Sequence, residues 1–120
     1  MAVSNLILTA LAINEFQDTV NANAAIVIKG SAGTLFLVYV DNSLNAAVSF
    51  VKLYDTAGAV TVGTTAPDWI YRVPAGIKLP IALAGGVAFA AGLQVATVTT
   101  GGTAGAISPA SAVTVVVAYS

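Results

Sequence analysis

The sequence has no cysteine and no histidine, and its charged residues are few. Four Lys or Arg and five Asp or Glu residues are spread over 120 positions, giving a net charge of −1 at pH 7. Without cysteine the chain has no disulfide, thiolate nucleophile or cysteine-based zinc site. Without histidine it has no imidazole base and none of the usual zinc or iron ligand sets. The scarcity of basic residues gives little attraction for a phosphate backbone, so we expect no nucleic-acid partner.

Charge is missing altogether from a long stretch, since residues 79–120 contain no Asp, Glu, Lys or Arg. Hydrophobic residues make up 58% of the chain, charged residues make up 8%, and the mean hydropathy is +0.91. Ordinary soluble domains have about 45–50% apolar and about 25% charged residues. A chain of this length is expected to form one domain. The composition therefore indicates either a membrane segment or a β domain that buries much of its surface against copies of itself or a larger body.

The strongest candidate for a membrane helix is Leu79–Val98, which has about the 20 residues needed to cross a bilayer. Pro80 and three glycines interrupt it, and its second half alternates and is β-branched, which favours a strand. No Lys or Arg cluster follows to anchor an orientation. We therefore expect a β domain with no membrane partner.

Nine short runs rich in Val, Ile, Thr, Tyr and Phe favour a β fold. Glycine, asparagine and proline separate most of them and supply turns. This spacing predicts a sandwich or a barrel. Residues 6–16 leave a short helix as an alternative. The predicted strands are Leu6–Ile13, Ala25–Lys29, Thr34–Val40, Val48–Tyr54, Trp69–Val73, Ile77–Leu83, Val87–Ala90, Leu93–Thr99 and Ala112–Tyr119.

Alternation within the predicted strands indicates burial on both faces. In Thr34–Val40, strict alternation places Leu35, Leu37 and Tyr39 on one face and Phe36, Val38 and Val40 on the other. A strand of a two-layer sandwich normally has one polar face. We therefore expect at least one strand to be covered twice, by the second sheet and by another subunit.

The residues offer little for catalysis or ligand binding. A carboxylate pair would have to come from turn positions, and a calcium site from Asp41, Asn42 and Asp55 lacks the usual loop. The glycine-rich residues 101–105 lack the lysine of a phosphate-binding loop and favour a flexible connection. Trp69 and Tyr71 could stack on a sugar, although strand aromatics more often anchor a core or interface. We expect no enzyme activity, cofactor or metal. The acidic residues are Glu15, Asp18, Asp41, Asp55 and Asp68.

Six segments combine turn glycines with strand alternation: Gly33–Asn42, Phe50–Asp55, Val62–Pro67, Val73–Gly76, Gly85–Leu93 and Val113–Tyr119. Taken in this order, they resemble small virion proteins of tailed bacteriophages, and the resemblance covers residues 24–119. It implies an all-β fold, a jelly-roll-like antiparallel β-sandwich of about eight strands, with a structural role in the particle. Capsid decoration (cement) proteins are the implied type.

The resemblance and the composition together give one functional expectation. The chain binds the outside of a phage head, where it stabilises capsomer contacts as a homo-oligomer, with a trimer expected, and contacts the major capsid protein. It is made in the host cytoplasm and ends in the virion. The alternatives are a tail, neck or baseplate protein of the same fold and a carbohydrate-binding β-sandwich module.

The expected domain layout is an N-terminal arm or first strand over residues 1–23, contacting neighbours, and a single β-sandwich over residues 24–120. An apolar stripe in the arm is predicted to reach a neighbouring subunit or the capsid surface. The predicted interface residues are Leu6, Leu8, Leu11, Ile13, Phe16, Phe36, Val38, Trp69 and Tyr71.

Overall fold

The computed structural model describes residues 13–120, which form eight β-strands and no helix. Most strands follow the β-branched and aromatic runs of the sequence, because those side chains pack well on a pleated surface. The strands are β1 (Asn14–Thr19), β2 (Ile26–Lys29), β3 (Gly33–Asp41), β4 (Ser49–Tyr54), β5 (Trp69–Val73), β6 (Lys78–Phe89), β7 (Leu93–Val98) and β8 (Thr114–Tyr119).

The strands form two four-stranded sheets. Sheet A has the order β1-β8-β3-β6, sheet B has the order β2-β7-β4-β5, and every neighbouring pair is antiparallel. The first strand pairs with the last, the second with the seventh, the third with the sixth and the fourth with the fifth. This is a long hairpin wrapped into a double-sheet jelly roll. The predicted jelly-roll-like antiparallel β-sandwich is confirmed.

Apolar side chains from both sheets meet between the layers. Sheet A contributes valines of β8 and residues of β3, and sheet B contributes alternate residues of β4 and β7. Alternation along each strand selects these positions, because successive side chains point to opposite faces. The fully buried core residues are Val20, Leu35, Val38, Val40, Val51, Leu53, Val73, Phe89, Leu93, Val95, Val113, Val115 and Val117.

Strict alternation fails in β3, where the pairing with both neighbours shifts between Leu35 and Leu37. Leu35, Val38 and Val40 point into the core, whereas Leu37 and Tyr39 are only half-buried. The expected division of this strand into two regular faces is therefore corrected. Opposite the shift, β6 carries residues 83–86 as a wide bulge in which Gly85 and Gly86 have positive φ, a conformation that glycine adopts most readily.

The strand boundaries agree with the sequence for β2 to β5 and for β7 and β8. The two runs predicted at 77–83 and 87–90 form one strand, β6, because the glycines between them make a bulge and not a turn. The predicted strand Leu6–Ile13 lies outside the described residues except for Ile13. The alternative short helix over residues 6–16 also lies mostly outside the described residues, and its last three residues belong to β1 (Asn14–Thr19), the edge strand of sheet A beside β8. The expected layout gave residues 1–23 as an arm or a first strand, and β1 is the described strand of that segment.

The segment considered as a membrane helix, Leu79–Val98, forms most of β6 and all of β7. Within residues 13–120 no helix is long and apolar enough to cross a membrane.

Candidate functional site

One end of the sandwich is built from four loops without a single charged residue. Residues 20–25, 42–48, 74–77 and 99–113 connect β1 to β2, β3 to β4, β5 to β6 and β7 to β8. The strand register brings them together, because Asp41 pairs with both Thr114 and Lys78, and Ser49 pairs with Val73. We call this surface the loop end. None of the nine charged residues of the chain lies in it.

The side chain of Asn42 holds two of these loops together. It is fully buried, and its Nδ2 donates to the carbonyl oxygens of Ala47 at 3.1 Å, Val73 at 3.3 Å and Pro74 at 3.0 Å. Its Oδ1 accepts hydrogen bonds from Asn45 Nδ2 at 3.0 Å and Ser49 Oγ at 2.9 Å. Buried amides are stable only when such partners are present. Asn42 therefore fixes the β3–β4 loop to the β5–β6 loop.

A second set of hydrogen bonds ties the β7–β8 loop to the others. Asn45 Nδ2 donates to the Ser111 carbonyl at 3.1 Å, and Asn45 Oδ1 accepts from the Ser111 backbone N–H at 2.8 Å. The Ser108 hydroxyl accepts from the Ala22 N–H at 3.0 Å. All four loops are thus linked to one another, and these hydrogen bonds fix the shape of the loop end.

The loop end carries exposed apolar side chains beside an apolar cavity. Leu44 and Ile107 are each 69% exposed, and Ile77 is 37% exposed. The cavity has a volume of about 160 Å³. Large exposed apolar side chains on the same loops as an apolar cavity are typical of an interaction surface. The cavity is lined by Asn45, Ala46, Ala47, Val48, Ser49, Thr99, Pro109 and Ala110.

The outer face of sheet B is covered by loops of the same chain. Lys52 of β4 points to this face and is fully buried, and its Nζ donates to the carbonyl oxygens of Thr103 at 3.1 Å and Gly105 at 2.7 Å. Gln94 of β7 lies on the same face and donates to the Thr56 carbonyl at 3.0 Å. Strands β4 and β7 are therefore buried on both faces, as the sequence predicted for at least one strand. Their outer faces are covered by loops of the same chain, whereas the sequence led us to expect another subunit there.

The buried Lys52 ammonium has no carboxylate partner among the described residues and relies on the two carbonyl groups of the β7–β8 loop. Burial lowers the pKa of Lys52 below its ordinary value, because the low dielectric disfavours the charged form. The glycine-rich residues 101–105 thus hold a lysine head group by their backbone. Their sequence predicted a flexible connection, whereas the structure gives them a defined contact.

The outer face of sheet A has no such cover in the described part of the chain. Its centre is apolar, with Leu37, Tyr39, Val116 and Ala118 on the two middle strands. Its rim is polar, with Glu15 on β1 and the Asp41–Lys78 ion pair at 4.0 Å near the loop end. This face is a second surface available for contact with a neighbouring molecule.

The acidic side chains stabilise turns and strand ends. Asp55 accepts backbone N–H groups of Ala90 and Ala91, each at 2.9 Å, and of Gly92 at 3.4 Å. These hydrogen bonds hold the pKa of Asp55 below its ordinary value. Asp41 accepts from the Ser43 hydroxyl and backbone N–H, which likewise lowers the pKa of Asp41.

The calcium site considered from the sequence is not assembled. Asp41 ends β3 at the loop end, whereas Asp55 follows β4 at the opposite end of the sandwich. Among residues 13–120 there is no group of three or more acidic side chains that could hold a metal ion.

The predicted interface residues lie in several different environments. Leu6, Leu8 and Leu11 lie outside the described residues, and Ile13 is half-buried at the start of the described chain. Phe16, Trp69 and Tyr71 are half-buried and pack against the core, and Phe36 is half-buried with its ring beside Gly86. Val38 is fully buried between the sheets and has no surface for a neighbour.

Sequence reasoning missed the loop end because its members are scattered over four segments. Leu44 and Ile107 stand alone among turn residues, and no local pattern singles them out. Lack of charge gave no signal either, because six of the seven connections between strands are uncharged and only residues 55–68 carry charge.

Two comparisons with known proteins add no relative. No protein-family model matches the chain, and no curated protein sequence matches it.

Proposed function

We propose that the chain is a structural protein of a bacteriophage particle, a capsid decoration protein that binds the outside of the head. In this role it acts as a homotrimer, contacts the major capsid protein and stabilises the junctions between capsomers. The resemblance of residues 24–119 to small phage virion proteins motivates the proposal.

The observation that carries the proposal is the loop end, where four loops without charge carry the exposed side chains of Leu44, Ile77 and Ile107 and an apolar cavity. Interface centres are depleted in charge, since burying an unpaired charge is costly. Burying apolar surface contributes about 25 cal/mol per Å² before ordering costs. A surface of this kind favours a protein that works by contact.

Multivalency reinforces weak single contacts. A trimer engages several shell subunits at once, so the later contacts form at high effective concentration. Because only 8% of the residues are charged, the contacts of this chain have a small electrostatic component for salt to screen. We expect occupancy on the particle to change little with ionic strength.

The decisive experiment is cryo-electron microscopy of purified particles together with the copy number of this chain. Density for the sandwich on the outer shell, in numbers comparable to the major capsid protein, is the expected result. Density confined to the neck, tail or baseplate at a small fraction of that number would replace the proposal with the tail alternative. Absence of the chain from purified particles would contradict both the decoration proposal and the tail alternative.

The N-terminal segment remains a proposed contact with a neighbour or the shell. Because β1 starts at Asn14 and is part of sheet A, the deletion should remove only residues 2–12. The shortened protein is expected to fold, with its β circular dichroism unchanged, and to lose binding to undecorated particles. Unchanged occupancy of a folded deletion variant would remove the arm from the proposal.

The carbohydrate-binding alternative relied on Trp69 and Tyr71. Both rings lie on the inner side of β5 and pack against the core. Glycan binding that is lost in Trp69→Ala while the fold is retained would revive it.

A further inference from the structure

We infer that the loop end binds a second copy of this chain, with Leu44 of one copy entering the cavity of the other. The inference specifies the copy–copy contact of the proposed oligomer and in that sense rests on the proposed function.

Leu44, which we call the knob, and the cavity, which we call the hole, match in size and chemistry. Leu44 projects from the β3–β4 loop and is 69% exposed, so most of its isobutyl group faces water. The cavity begins one residue further along the same loop, and its volume is about 160 Å³. Apolar cavities of roughly 150 Å³ accept a molecule the size of benzene, which is larger than a leucine side chain. The cavity walls are mainly alanine, valine and proline.

Knob and hole lie side by side, which allows the contact to close. When two copies meet through this surface, each can offer Leu44 to the other and receive one in return. The same adjacency permits a small ring in which every copy fills the hole of the next.

The absence of charge allows two identical copies to meet through this surface. A self-contact places identical surfaces against each other, so a charged patch would face its own charge. The loop end has no charged residue in any of its four loops and meets no such repulsion. The nearest ion pair, Asp41 with Lys78 at 4.0 Å, lies at its border and is internally balanced.

The contact is also preorganised. Asn42 fixes the loop that carries Leu44, and Asn45 fixes the cavity wall to Ser111. A rigid knob and a rigid wall lose little freedom on association, which favours binding.

The experiment measures the molar mass of the purified full chain by sedimentation equilibrium over a range of concentrations. The wild type is expected to associate. Leu44→Asp, which breaks the knob, and Ala110→Phe, which fills the hole, are each expected to weaken self-association by about 10- to 100-fold. Val27→Asp is the matched control, since Val27 is 56% exposed on β2 of sheet B, and it should associate as the wild type does.

A mixture of the two variants gives the sharpest result. Leu44→Asp retains the hole and Ala110→Phe retains the knob, so a mixed pair keeps one intact contact, whereas a pair of identical variants keeps none. The mixture is therefore expected to associate more tightly than either variant alone. Unchanged circular dichroism and melting show that both variants are folded. A monomeric wild type, or variants that both still self-associate, would overturn the inference.

Particle binding separates this inference from the proposed function. A chain that decorates particles as a monomer would refute the copy–copy contact and leave the function standing. A chain that oligomerises through Leu44 but is absent from particles would refute the function and leave the contact standing.

Discussion

Replacing Asn42 with alanine should remove much of the stability of the sandwich. The side chain makes five hydrogen bonds, three from Nδ2 and two to Oδ1. Nδ2 has two hydrogens for three carbonyl groups, so four of these count as full bonds. Each contributes about 0.5–1.5 kcal/mol net. Asn45 keeps its bonds to Ser111, and water can reach some of the freed carbonyls, so we expect a loss of about 3–4 kcal/mol.

A loss of this size is large compared with the stability of ordinary domains, about 5–15 kcal/mol. With an unfolding entropy of about 2.1 cal/mol/K per residue, it corresponds to a fall in Tm of about 12–16 °C. Chemical denaturation followed by circular dichroism gives the free energy of unfolding, and calorimetry gives Tm. Hydrogen exchange at the Ser111 amide should accelerate, because that amide bonds to Asn45 within the same network.

Asn23→Ala is the matched control. Asn23 is exposed in the β1–β2 loop, so its replacement should change the stability by less than about 0.5 kcal/mol. If Asn42→Ala costs less than about 1 kcal/mol, the hydrogen bonds of Asn42 do not hold the loops together and the account of the loop end fails.

Three further predictions concern other contacts. In the wild type, the free energy of unfolding should rise as pH increases from about 8 to 10, because burial lowers the pKa of Lys52 and the unfolded chain then binds more protons than the folded one. Lys52→Met should abolish this rise, which urea titrations at several pH values measure. Asp55→Ala should lower stability by about 1–2 kcal/mol at neutral pH and by less below about pH 3, because hydrogen bonds hold the pKa of Asp55 low and its contribution disappears on protonation; thermal melts across this pH range test it. Gly92→Ala should destabilise by more than about 2 kcal/mol, because a Cβ there would lie 2.7 Å from the Thr56 carbonyl oxygen; denaturant unfolding gives the value.

Each of these has its own control. Burial raises the pKa of Tyr54 and Tyr71, which lowers stability only above about pH 10, so the Lys52 measurement stays below that range. A pH slope that survives in Lys52→Met contradicts the assignment. For Asp55, a loss that is the same at pH 3 and pH 7 would mean that the carboxylate is not the stabilising group. Gly30→Ala, with open space around the new methyl group, is the control for Gly92.

The sequence was most informative where a strand is buried. The run Trp69–Val73 was predicted with the bounds that β5 has, because aromatic and β-branched residues end there at Pro74. It was least informative for β1, whose residues Asn-Glu-Phe-Gln-Asp-Thr are mostly polar. As an edge strand it contributes only Phe16 to the core, so no hydrophobic pattern marks it.

The loop end could not be read from local patterns because its construction is non-local. Asn42 was recognised as a turn residue, but its partners Val73 and Pro74 lie some thirty residues away along the chain. Lys52 lies within a predicted strand, and its burial depends on the folding of residues 103–105 over β4. Such contacts depend on the arrangement of strands, which composition does not specify.

The wrapped-hairpin topology has a consequence for how the chain is made. β8 lies between β1 and β3 in sheet A, yet it is the last strand to be synthesised. Until it leaves the ribosome, β3 has one open edge rich in apolar residues, and such edges pair readily with other chains. All-β topologies of this kind fold slowly, on the order of milliseconds to seconds. Nascent and truncated chains that stop before residue 114 therefore cannot complete sheet A, and the yield of native protein depends on how quickly β8 closes that gap.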